Sequence, residues 1–369
     1  MNTATQATQS FLVKKSDLSQ TQLLASESAP LQSGQVRLRI DLFSLTANNI
    51  TYASFGNAMK YWDFYPREDE WGVIPVWGFA NVTESLCEGI AVGQRFYGYF
   101  PMASDVTLTP ARTSVAGFSV ADGLRGELAA VYNSYTNCAT DPFYAHGSEA
   151  VQCLLRPLFI TSWLIDDFLA DNSFFGSEAA VLSSASSKTA YGTAFCLALR
   201  PKAERPKIIG LTSKSNLAFT ESLGCYDQVI TYDELESLSS SLPCTYVDMA
   251  GNAALRMRIH THLKELKYSC SVGGTHVQEL GGAKGLPGPK ATLFFAPAQI
   301  AKRRDDWGGA ALNARLVQSW QAFAQRVTQP NATWLDVETH SAATANAAYA
   351  SLLKGQISPR SGQVWSLSI

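Results

Sequence analysis

A run of small hydroxyl side chains closed by a lysine is the part of this sequence best suited to bind an anion. It is SSASSKT, residues 183–189, and it lies between an apolar stretch at 179–182 and a helical pattern. Serine and alanine are the smallest side chains after glycine, so a ligand can approach the backbone, and a helix N-terminus attracts negative charge. We call this segment the serine loop. Its predicted cofactor-binding residues are Ser184, Ser186, Ser187, Lys188 and Thr189.

A second polar segment indicates which anion would be bound. The strand-like run KIIGL, residues 207–211, is closed by residues 212–216, which include no acid. Strand, loop, helix and strand within about 35 residues is the layout of a dinucleotide-binding βαβ unit, in which an acid at this tip holds the ribose of NAD. A cation and hydroxyl groups suit the additional phosphate of NADP instead. The predicted contacts are Ser213, Lys214, Asn216 and Tyr232.

The serine loop lacks the glycines of the usual phosphate-binding fingerprint, G-x-G-x-x-G. Side-chain hydroxyl groups and one lysine would have to replace the backbone donors that glycine exposes. The competing interpretation is that the loop only caps the following helix, because serine and threonine are favoured N-cap residues. The sequence favours a retained site and leaves the second interpretation open.

Two kinds of pattern position these segments. Up to about residue 118, short runs that largely alternate apolar and polar side chains predict a β-rich region, a small barrel or sandwich. Its clearest strands are 35–47, 72–77, 78–85 and 95–101. From residue 147 onward, strands alternate with helices, which predicts a parallel, doubly wound sheet. The predicted fold class is therefore α/β.

Composition excludes several classes of function. The 369 residues are 46% hydrophobic and 16% charged, carry a net charge of −2 and contain no long basic run, so no nucleic-acid partner is expected. No apolar run reaches the ~18 residues that span a bilayer, and no secretory signal is recognisable, so we expect a cytoplasmic protein without a membrane partner. Seven scattered cysteines without a C-x-x-C pair predict neither disulfides nor a structural zinc site.

Five segments, in order along the chain, resemble those of a known family. They are VRLRIDLFSLTANN (36–49), IPVWGFANV (74–82), IAVGQRFYGY (90–99), KIIGLTSKSNLAFTESLGCYDQVITY (207–232) and TANAAYASLLKGQISPRSGQVWSL (344–367). The chain is similar to the medium-chain dehydrogenase/reductase superfamily, in its zinc-free quinone-reductase and enoyl-reductase branches.

This resemblance implies two domains. A GroES-like β-barrel domain for the substrate would comprise residues 1–145 and 328–369, and an inserted Rossmann domain would comprise residues 146–327. The active site would lie at the carboxyl ends of the parallel strands. Relatives often pair their Rossmann sheets edge to edge, which makes a homodimer one option.

Zinc-dependent members of the superfamily carry a His-Glu pair where this sequence has Trp77 and Gly78. The histidines, at positions 146, 260, 262, 276 and 340, offer no replacement set of ligands. His260 and His262 lie two residues apart on a predicted helix and so point to different faces. We therefore expect surface histidines and no metal.

The resemblance also places tyrosine and asparagine side chains in the substrate cleft, where reduction requires a proton donor. The first choice is Tyr135, from the run VYNSYTN (131–137) in a predicted loop. Tyr52 is the second, because enoyl-reducing relatives carry an acidic tyrosine in this region, and Asn49 completes the catalytic set. The predicted substrate contacts are Asn48, Tyr97, Tyr99, Tyr132 and Asn133. Alternatively, the run forms a polar turn whose tyrosines only hydrogen-bond within the protein.

Two further predictions concern the Rossmann side. Thr161 matches a threonine that relatives place near the nicotinamide and phosphates. Asp166 and Asp167 are expected to form a solvated helix end.

These features predict a zinc-independent, NADP(H)-dependent oxidoreductase acting on a small activated carbonyl compound, such as an enone, a quinone or a ketone. A rival prediction is a lyase that cleaves a β-hydroxy carbonyl compound in a retro-aldol reaction, with a vestigial or structural nucleotide. A third is a binding protein without catalysis.

Overall fold

The computed structural model describes residues 7–272, 285–330, 332 and 334–368. The chain divides into two compact units, the first formed by residues 1–157 and 336–369 and the second by residues 158–335. The assignment of the substrate to the first unit and of the nucleotide to the second stays a prediction.

The first unit is built mainly of antiparallel strands. Its helices are α1 (Ala47–Ser54), α8 (Ala345–Leu353) and the beginning of α2 (Glu149–Asp171). Its strands are β1 (Ala7–Lys14), β2 (Asp17–Glu27), β3 (Val36–Leu45), β4 (Trp71–Gly72), β5 (Pro75–Ser85), β6 (Arg95–Pro101), β7 (Asp105–Leu108), β8 (Pro110–Ser114), β9 (Gly117–Val120), β10 (Ser134–Asn137), β17 (Asp336–Ser341) and β18 (Ser361–Ser366). One sheet has the order β2-β1-β4 and the other β17-β18-β3-β5-β6-β10-β9-β8, with β7 paired to β3.

The second unit is a parallel sheet with the strand order β13-β12-β11-β14-β15-β16. Its strands are β11 (Ala179–Leu182), β12 (Lys207–Thr212), β13 (Gln228–Thr231), β14 (Cys244–Asp248), β15 (Leu266–Ser271) and β16 (Ala291–Leu293). Its helices, besides the rest of α2, are α3 (Lys188–Ala198), α4 (Leu217–Ser222), α5 (Ala253–His262), α6 (Ala296–Trp307) and α7 (Gly309–Thr328). Numbered from β11, this order is 3-2-1-4-5-6, the order that dinucleotide-binding folds share.

Short apolar runs explain why these segments become strands. All four residues of β11 are buried, as expected for a central parallel strand covered on both faces. Strand β6 coincides with the predicted strand at 95–101. The predicted α/β class, a β-rich region joined to a doubly wound parallel sheet, is confirmed.

One sequence expectation about local structure is corrected, and one hairpin was not expected. The run at 131–137 is not a loop: its first half is part of a 3₁₀ turn, Ala130–Asn133, and its second half is the sheet strand β10. The hairpin of β1 and β2 was not predicted, because its second strand is mostly polar and exposed. His276, one of the histidines considered as a ligand, lies outside the described residues.

No helix in the described part of the chain is long and apolar enough to cross a membrane.

Candidate functional site

The serine loop forms a tight turn between β11 and α3. Ser184 has a φ of +50°, a left-handed conformation that normally favours glycine. The amide of Ser187 donates to the carbonyl of Ser184 at 2.8 Å and closes the turn. The Ser187 side chain then accepts from the amide of Ala190, so it is the N-cap of α3, and Lys188 is the first helical residue. The serine loop therefore does cap α3, as the competing interpretation predicts, and this capping uses the hydroxyl group of Ser187.

A buried polar network holds the loop from below. The Ser183 hydroxyl donates to Asp248 at 3.2 Å and accepts from the amides of Met249 and Ala250, both at 3.1 Å. Asp248 and Arg256 form a buried ion pair at 2.7 Å. The network joins the ends of β11 and β14 and so fixes where the loop begins. Sequence reasoning missed Asp248 and Arg256, although an acid directly after a buried apolar strand was a usable signal.

The tip of β12 meets the serine loop, as the sequence predicts. Asn216 donates from Nδ2 to the Ser186 hydroxyl at 3.1 Å, and the amide of Ser184 donates to the Tyr232 hydroxyl at 3.0 Å. Four of the predicted cofactor-binding residues are thus brought together. Ser213 lies beside them and shares a hydrogen bond with the Ser215 hydroxyl at 2.9 Å.

Two lysines give this edge of the sheet its positive charge. Lys188 begins α3, and burial lowers the pKa of its amine to about 8. Lys214 is exposed at the tip, in the electrostatic range of Glu234. The segment from Thr212 to Asn216 contains no acid. Cations and hydroxyl groups in this combination could bind a phosphate group.

Helix α2 packs directly behind the loop. The Ser162 hydroxyl donates to the carbonyl of Thr189 at 2.8 Å. A Cβ atom at Gly192 would lie 2.6 Å from that same hydroxyl, so glycine is required for the two helices to come this close. Thr161 is the neighbour of Ser162 and is half-buried on α2. Thr161 is thus next to Ser162, the residue of α2 that supports the loop.

The acidic pair on α2 is not a solvated helix end. Asp166 and Asp167 are both buried. Arg200 donates two hydrogen bonds to Asp166, each at 2.8 Å, and Arg303 donates to Asp167 at 2.7 Å. Burial raises the pKa of Asp166, and Arg200 opposes that rise. These pairs explain the burial, since a buried charge needs a partner.

His260 is likewise not at the surface. It is buried, its Nδ1 lies 2.8 Å from the carbonyl oxygen of Pro287, and its Nε2 lies 2.9 Å from the Ser269 hydroxyl. Burial lowers the pKa of this imidazole. Within the described residues, no group of three His, Cys, Asp or Glu side chains could hold a metal ion.

The first unit carries a separate group of tyrosines. We use the name tyrosine cluster for Tyr52, Tyr61, Tyr99 and Tyr132. The rings of Tyr52 and Tyr61 stack at 4.3 Å between centroids, and those of Tyr99 and Tyr132 lie 4.8 Å apart. Sequence reasoning selected three of the four; it missed Tyr61, whose only signal was the aromatic run YWDFY.

Hydroxyl groups within the tyrosine cluster interact. Those of Tyr52 and Tyr61 both hydrogen-bond to that of Tyr132. Burial raises the pKa of Tyr132, whereas these two hydrogen bonds act to lower it. Asn48 donates from Nδ2 to the Tyr52 hydroxyl at 3.1 Å. The predicted substrate contacts Asn48 and Tyr132 thus lie at one connected group of phenols.

Aromatic side chains surround the cluster. Trp77 stacks on Tyr97 at 5.3 Å and lies 5.1 Å from Tyr99, between ring centroids. Arg156 lies over the Tyr97 ring at 4.3 Å and is paired with Asp141 at 2.6 Å. The hydroxyl groups of Tyr97 and Tyr99 are buried and have no hydrogen-bond partner in the described part of the chain.

Tyr135 and Asn133 have structural partners. The Tyr135 hydroxyl donates to the carbonyl of Tyr99 at 3.0 Å and accepts from Arg125 at 3.1 Å. Arg125 also donates from Nε to Asn133 at 3.0 Å, and Asn133 donates back to the carbonyl of Arg125 at 2.6 Å. The Arg125–Asn133 pair therefore holds the turn that carries Tyr132. The Tyr135 hydroxyl thus directs its one proton to a backbone carbonyl within the protein.

Asn49 is also engaged. Its Oδ1 accepts from the amide of Thr46 at 2.8 Å and its Nδ2 donates to the carbonyl of Pro75 at 3.1 Å. These bonds form the capping box of α1 and tie that helix to β5. The position of Asn49 thus sets the place of Asn48 and Tyr52 on the same helix.

Comparison with solved structures shows the class of fold. The chain is similar to the CurK enoyl reductase, with a TM-score of 0.60 and 12% identity, covering 97% of this chain and 99% of that one. It is similar to the quinone oxidoreductase from Coxiella burnetii, with a TM-score of 0.56 and 12% identity, covering 98% of this chain and 100% of that one. It is also similar to CurA from Vibrio vulnificus in complex with NADPH, with a TM-score of 0.56 and 13% identity, covering 98% of this chain and 99% of that one.

At these identities the likeness establishes the fold alone, and it agrees with the fold that the sequence predicts. The chain belongs to the family described as protein of unknown function (DUF2855), whose model matches residues 43–358. No curated protein matches the chain.

Proposed function

We propose that the protein is a zinc-independent oxidoreductase that uses NADP(H) to reduce an activated carbonyl compound, such as an enone or a quinone. The observation that carries the proposal is the tip of β12, where residues 212–216 include a lysine and no acid and where Asn216 meets the serine loop. Folds of this strand order bind dinucleotides at the carboxyl ends of their strands. Among solved structures of similar fold, CurA and TarJ are in complex with NADPH.

The residues present fit a phosphate-bearing nucleotide. The left-handed turn at Ser184 and the helix start at Lys188 reproduce the shape on which a pyrophosphate rests. The hydroxyl of Ser186 and the amide of Asn216 would orient the ribose side, and Lys214 would attract the additional phosphate of NADP. When bound, the nicotinamide supplies hydride.

Zinc independence is supported by the donor groups of the first unit. Trp77 stands where zinc-dependent relatives are expected to carry a ligand, and its indole stacks on the Tyr97 ring and lies at a tilt to the Tyr99 ring. An indole cannot ligate zinc, for which thiolate, imidazole and carboxylate are the usual ligands. Charge developing on a substrate oxygen would instead be met by hydrogen-bond donors.

The direct test is a titration of the purified protein with NADPH and with NADH, followed by intrinsic fluorescence and thermal unfolding. We expect NADPH to bind more tightly and to raise the melting temperature through mass action. Consumption of NADPH is then followed with a panel of quinones, enones and aldehydes. No response to either nucleotide would contradict the proposal. Binding without consumption of NADPH would direct attention to the rival lyase reaction.

Two lysine variants locate the phosphate contacts. Lys214→Ala and Lys188→Ala should each weaken NADPH binding by about tenfold, the effect of one charge-assisted hydrogen bond. NADH binding should change less with Lys214→Ala. Lys264→Ala is the matched control, because Lys264 is exposed just before β15, at the opposite end of the strands. Unchanged NADPH affinity in both variants would refute the assignment.

A further inference from the structure

A cavity of about 490 Å³ lies among the helices of the second unit, and the proposed function does not use it. The residues that line it belong to α2, to the end of α3, to α6 and to α7. The serine loop lies at the other end of α3, about 15 Å away along the helix axis. Sites for small molecules commonly have about 300–1,000 Å³, so this cavity has room for a ligand of its own.

The acids of the cavity already have partners. Asp166 on α2 pairs with Arg200 at 2.8 Å. Asp167 and Asp171 both pair with Arg303, at 2.7 and 3.0 Å. These carboxylates are therefore neutralised within the protein and leave little attraction for a cation. The buried pairs also join α2 to the end of α3 and to α6, so they fix the walls of the cavity.

Arg315 is the third arginine of the cavity, and its charge is not neutralised in this way. Its guanidinium carbon lies 4.0 Å from the centroid of the Trp307 ring, on which Arg303 also lies, at 4.4 Å. No carboxylate in the described part of the chain forms an ion pair with Arg315, which is exposed. The aromatic contact orients the guanidinium group and leaves its N–H donors free. Such a planar group of donors matches the two oxygens of a carboxylate.

Two further donors lie on the same face of α7. Gln318 and Ser319 follow Arg315 by three and four residues, the spacing that brings side chains together on a helix. The Ser319 hydroxyl accepts from Nε1 of Trp163 at 3.0 Å, which leaves its own proton without an acceptor among the described residues. The side-chain amide of Gln318 is exposed. This face of α7 therefore offers hydrogen-bond donors from three neighbouring side chains.

The opposite wall of the cavity is partly apolar. Leu199, directly after α3, is 52% exposed, and Ala170 on α2 is half-buried. Both line the cavity together with Trp307. An exposed leucine gains free energy when an apolar group covers it. A ligand with an apolar body and one anionic end would use both walls at once.

We infer that this cavity is a binding site for a small apolar carboxylate, such as an aromatic acid. The carboxylate accepts from Arg315, Gln318 and Ser319, and the apolar body covers Leu199. The charge of the lining selects the anion. Three arginines and three aspartates line the cavity, so their charges cancel. A monoanion can be held by the one arginine without an ion pair, whereas a phosphate dianion would bring a second negative charge near the aspartates.

The test is a calorimetric titration of the full chain with 2-naphthoate, without nucleotide. We expect a dissociation constant below about 1 mM, and at least about tenfold weaker binding of the uncharged analogue 2-naphthylmethanol. Arg315→Met should weaken the binding of 2-naphthoate at least about tenfold, as for one charge-assisted hydrogen bond. Gln318→Ala should weaken it less. Arg304→Met is the matched control, because Arg304 is exposed on α6 and does not line the cavity.

Each outcome bears on the site without reference to the reductase, since the titration contains no nucleotide. Equal affinity for 2-naphthoate in wild type and Arg315→Met would overturn the inference, and so would equal binding of the uncharged analogue. Displacement of 2-naphthoate by inorganic phosphate at the same concentration would overturn the choice of a carboxylate. Should Arg315→Met fail to fold, Leu199→Glu provides the test, because it places a negative charge on the exposed apolar wall. Loss of binding in that variant supports the site, and unchanged binding overturns it.

Discussion

In the serine loop the hydroxyl groups have partners within their own unit, whereas in the tyrosine cluster a buried hydroxyl has none. Ser183, Ser186 and Ser187 each hydrogen-bond to a described neighbour, and the Ser184 amide donates to Tyr232. Tyr99, by contrast, keeps an unpaired hydroxyl group. The loop is thus preformed by its own contacts, and a nucleotide would exchange some of them. In the tyrosine cluster the Tyr99 hydroxyl stays unpaired within the described part of the chain.

The largest expected effect comes from breaking the network beneath the serine loop. Asp248→Asn leaves Arg256 buried without an anionic partner, which should lower the free energy of unfolding by about 3–5 kcal/mol. NADPH affinity should fall as well, because the ion pair of Asp248 with Arg256 is part of the network that holds Ser183 at the end of β11. Urea denaturation and NADPH titration measure the two effects.

Asp233→Asn is the control for this change, since Asp233 is an exposed acid of the same unit. Adding Arg256→Met to Asp248→Asn should recover part of the stability, because the unpaired cation is removed. Stability equal to wild type in the single variant would show that the loop is not held from below as described.

An intermediate effect is expected in the first unit, where Arg125 holds the turn that carries Tyr132. Arg125→Met removes the donor to Asn133, to Tyr135 and to the carbonyl of Tyr132, and each buried acceptor left unsatisfied costs about 1–3 kcal/mol. Unfolding should become easier by at least about 2 kcal/mol. Turnover with a quinone should fall while NADPH affinity stays the same, because Tyr132 loses its support and the serine loop does not.

The contrast between turnover and affinity is the informative part of that experiment. Arg112→Met, a change at an exposed arginine of the same unit, should alter neither quantity. A fall in NADPH affinity with Arg125→Met would mean that the two regions are not independent.

The smallest effect is expected where the loop deviates from its usual sequence. Ser184→Gly relieves a left-handed conformation that costs a side-chain-bearing residue roughly 1–2 kcal/mol, less the backbone entropy that glycine loses. We expect a gain in stability of about 0.5–1 kcal/mol, visible in urea denaturation, with NADPH affinity within about twofold of wild type. A loss of stability would show that the serine hydroxyl contributes more than the conformation costs.

The fold was predictable because its signals are local. Strand β6 follows from an apolar and aromatic run, and the parallel, doubly wound sheet follows from alternating strands and helices. The serine loop and the tip of β12 were found for the same reason, since each follows directly on a strand. Their meeting through Ser186 and Asn216 needed only the rule that neighbouring parallel strands end at one edge.

The burial of charged residues and the roles of individual tyrosines could not be predicted, because they depend on partners that are distant along the chain. Asp167 is buried because Arg303, 136 residues away, pairs with it. Arg125 stands alone in an exposed segment, and nothing in its neighbours indicates burial among aromatic rings. Tyr132 and Tyr135 are three residues apart and equally plausible as donors. Only the three-dimensional contacts distinguish them. The Tyr135 hydroxyl donates to a backbone carbonyl, whereas the Tyr132 hydroxyl interacts with the hydroxyl groups of two other tyrosines.

The amine at the start of α3 has a consequence for the thermodynamics of binding. With a pKa of about 8, Lys188 is partly uncharged in mildly alkaline solution. An anion that binds against it favours the charged form, so binding there is coupled to the uptake of a proton from water. The heat of binding would then depend on the ionisation enthalpy of the buffer, and affinity would decline as the pH rises above 8. Binding of an anion at the serine loop would therefore include the uptake of a proton by Lys188.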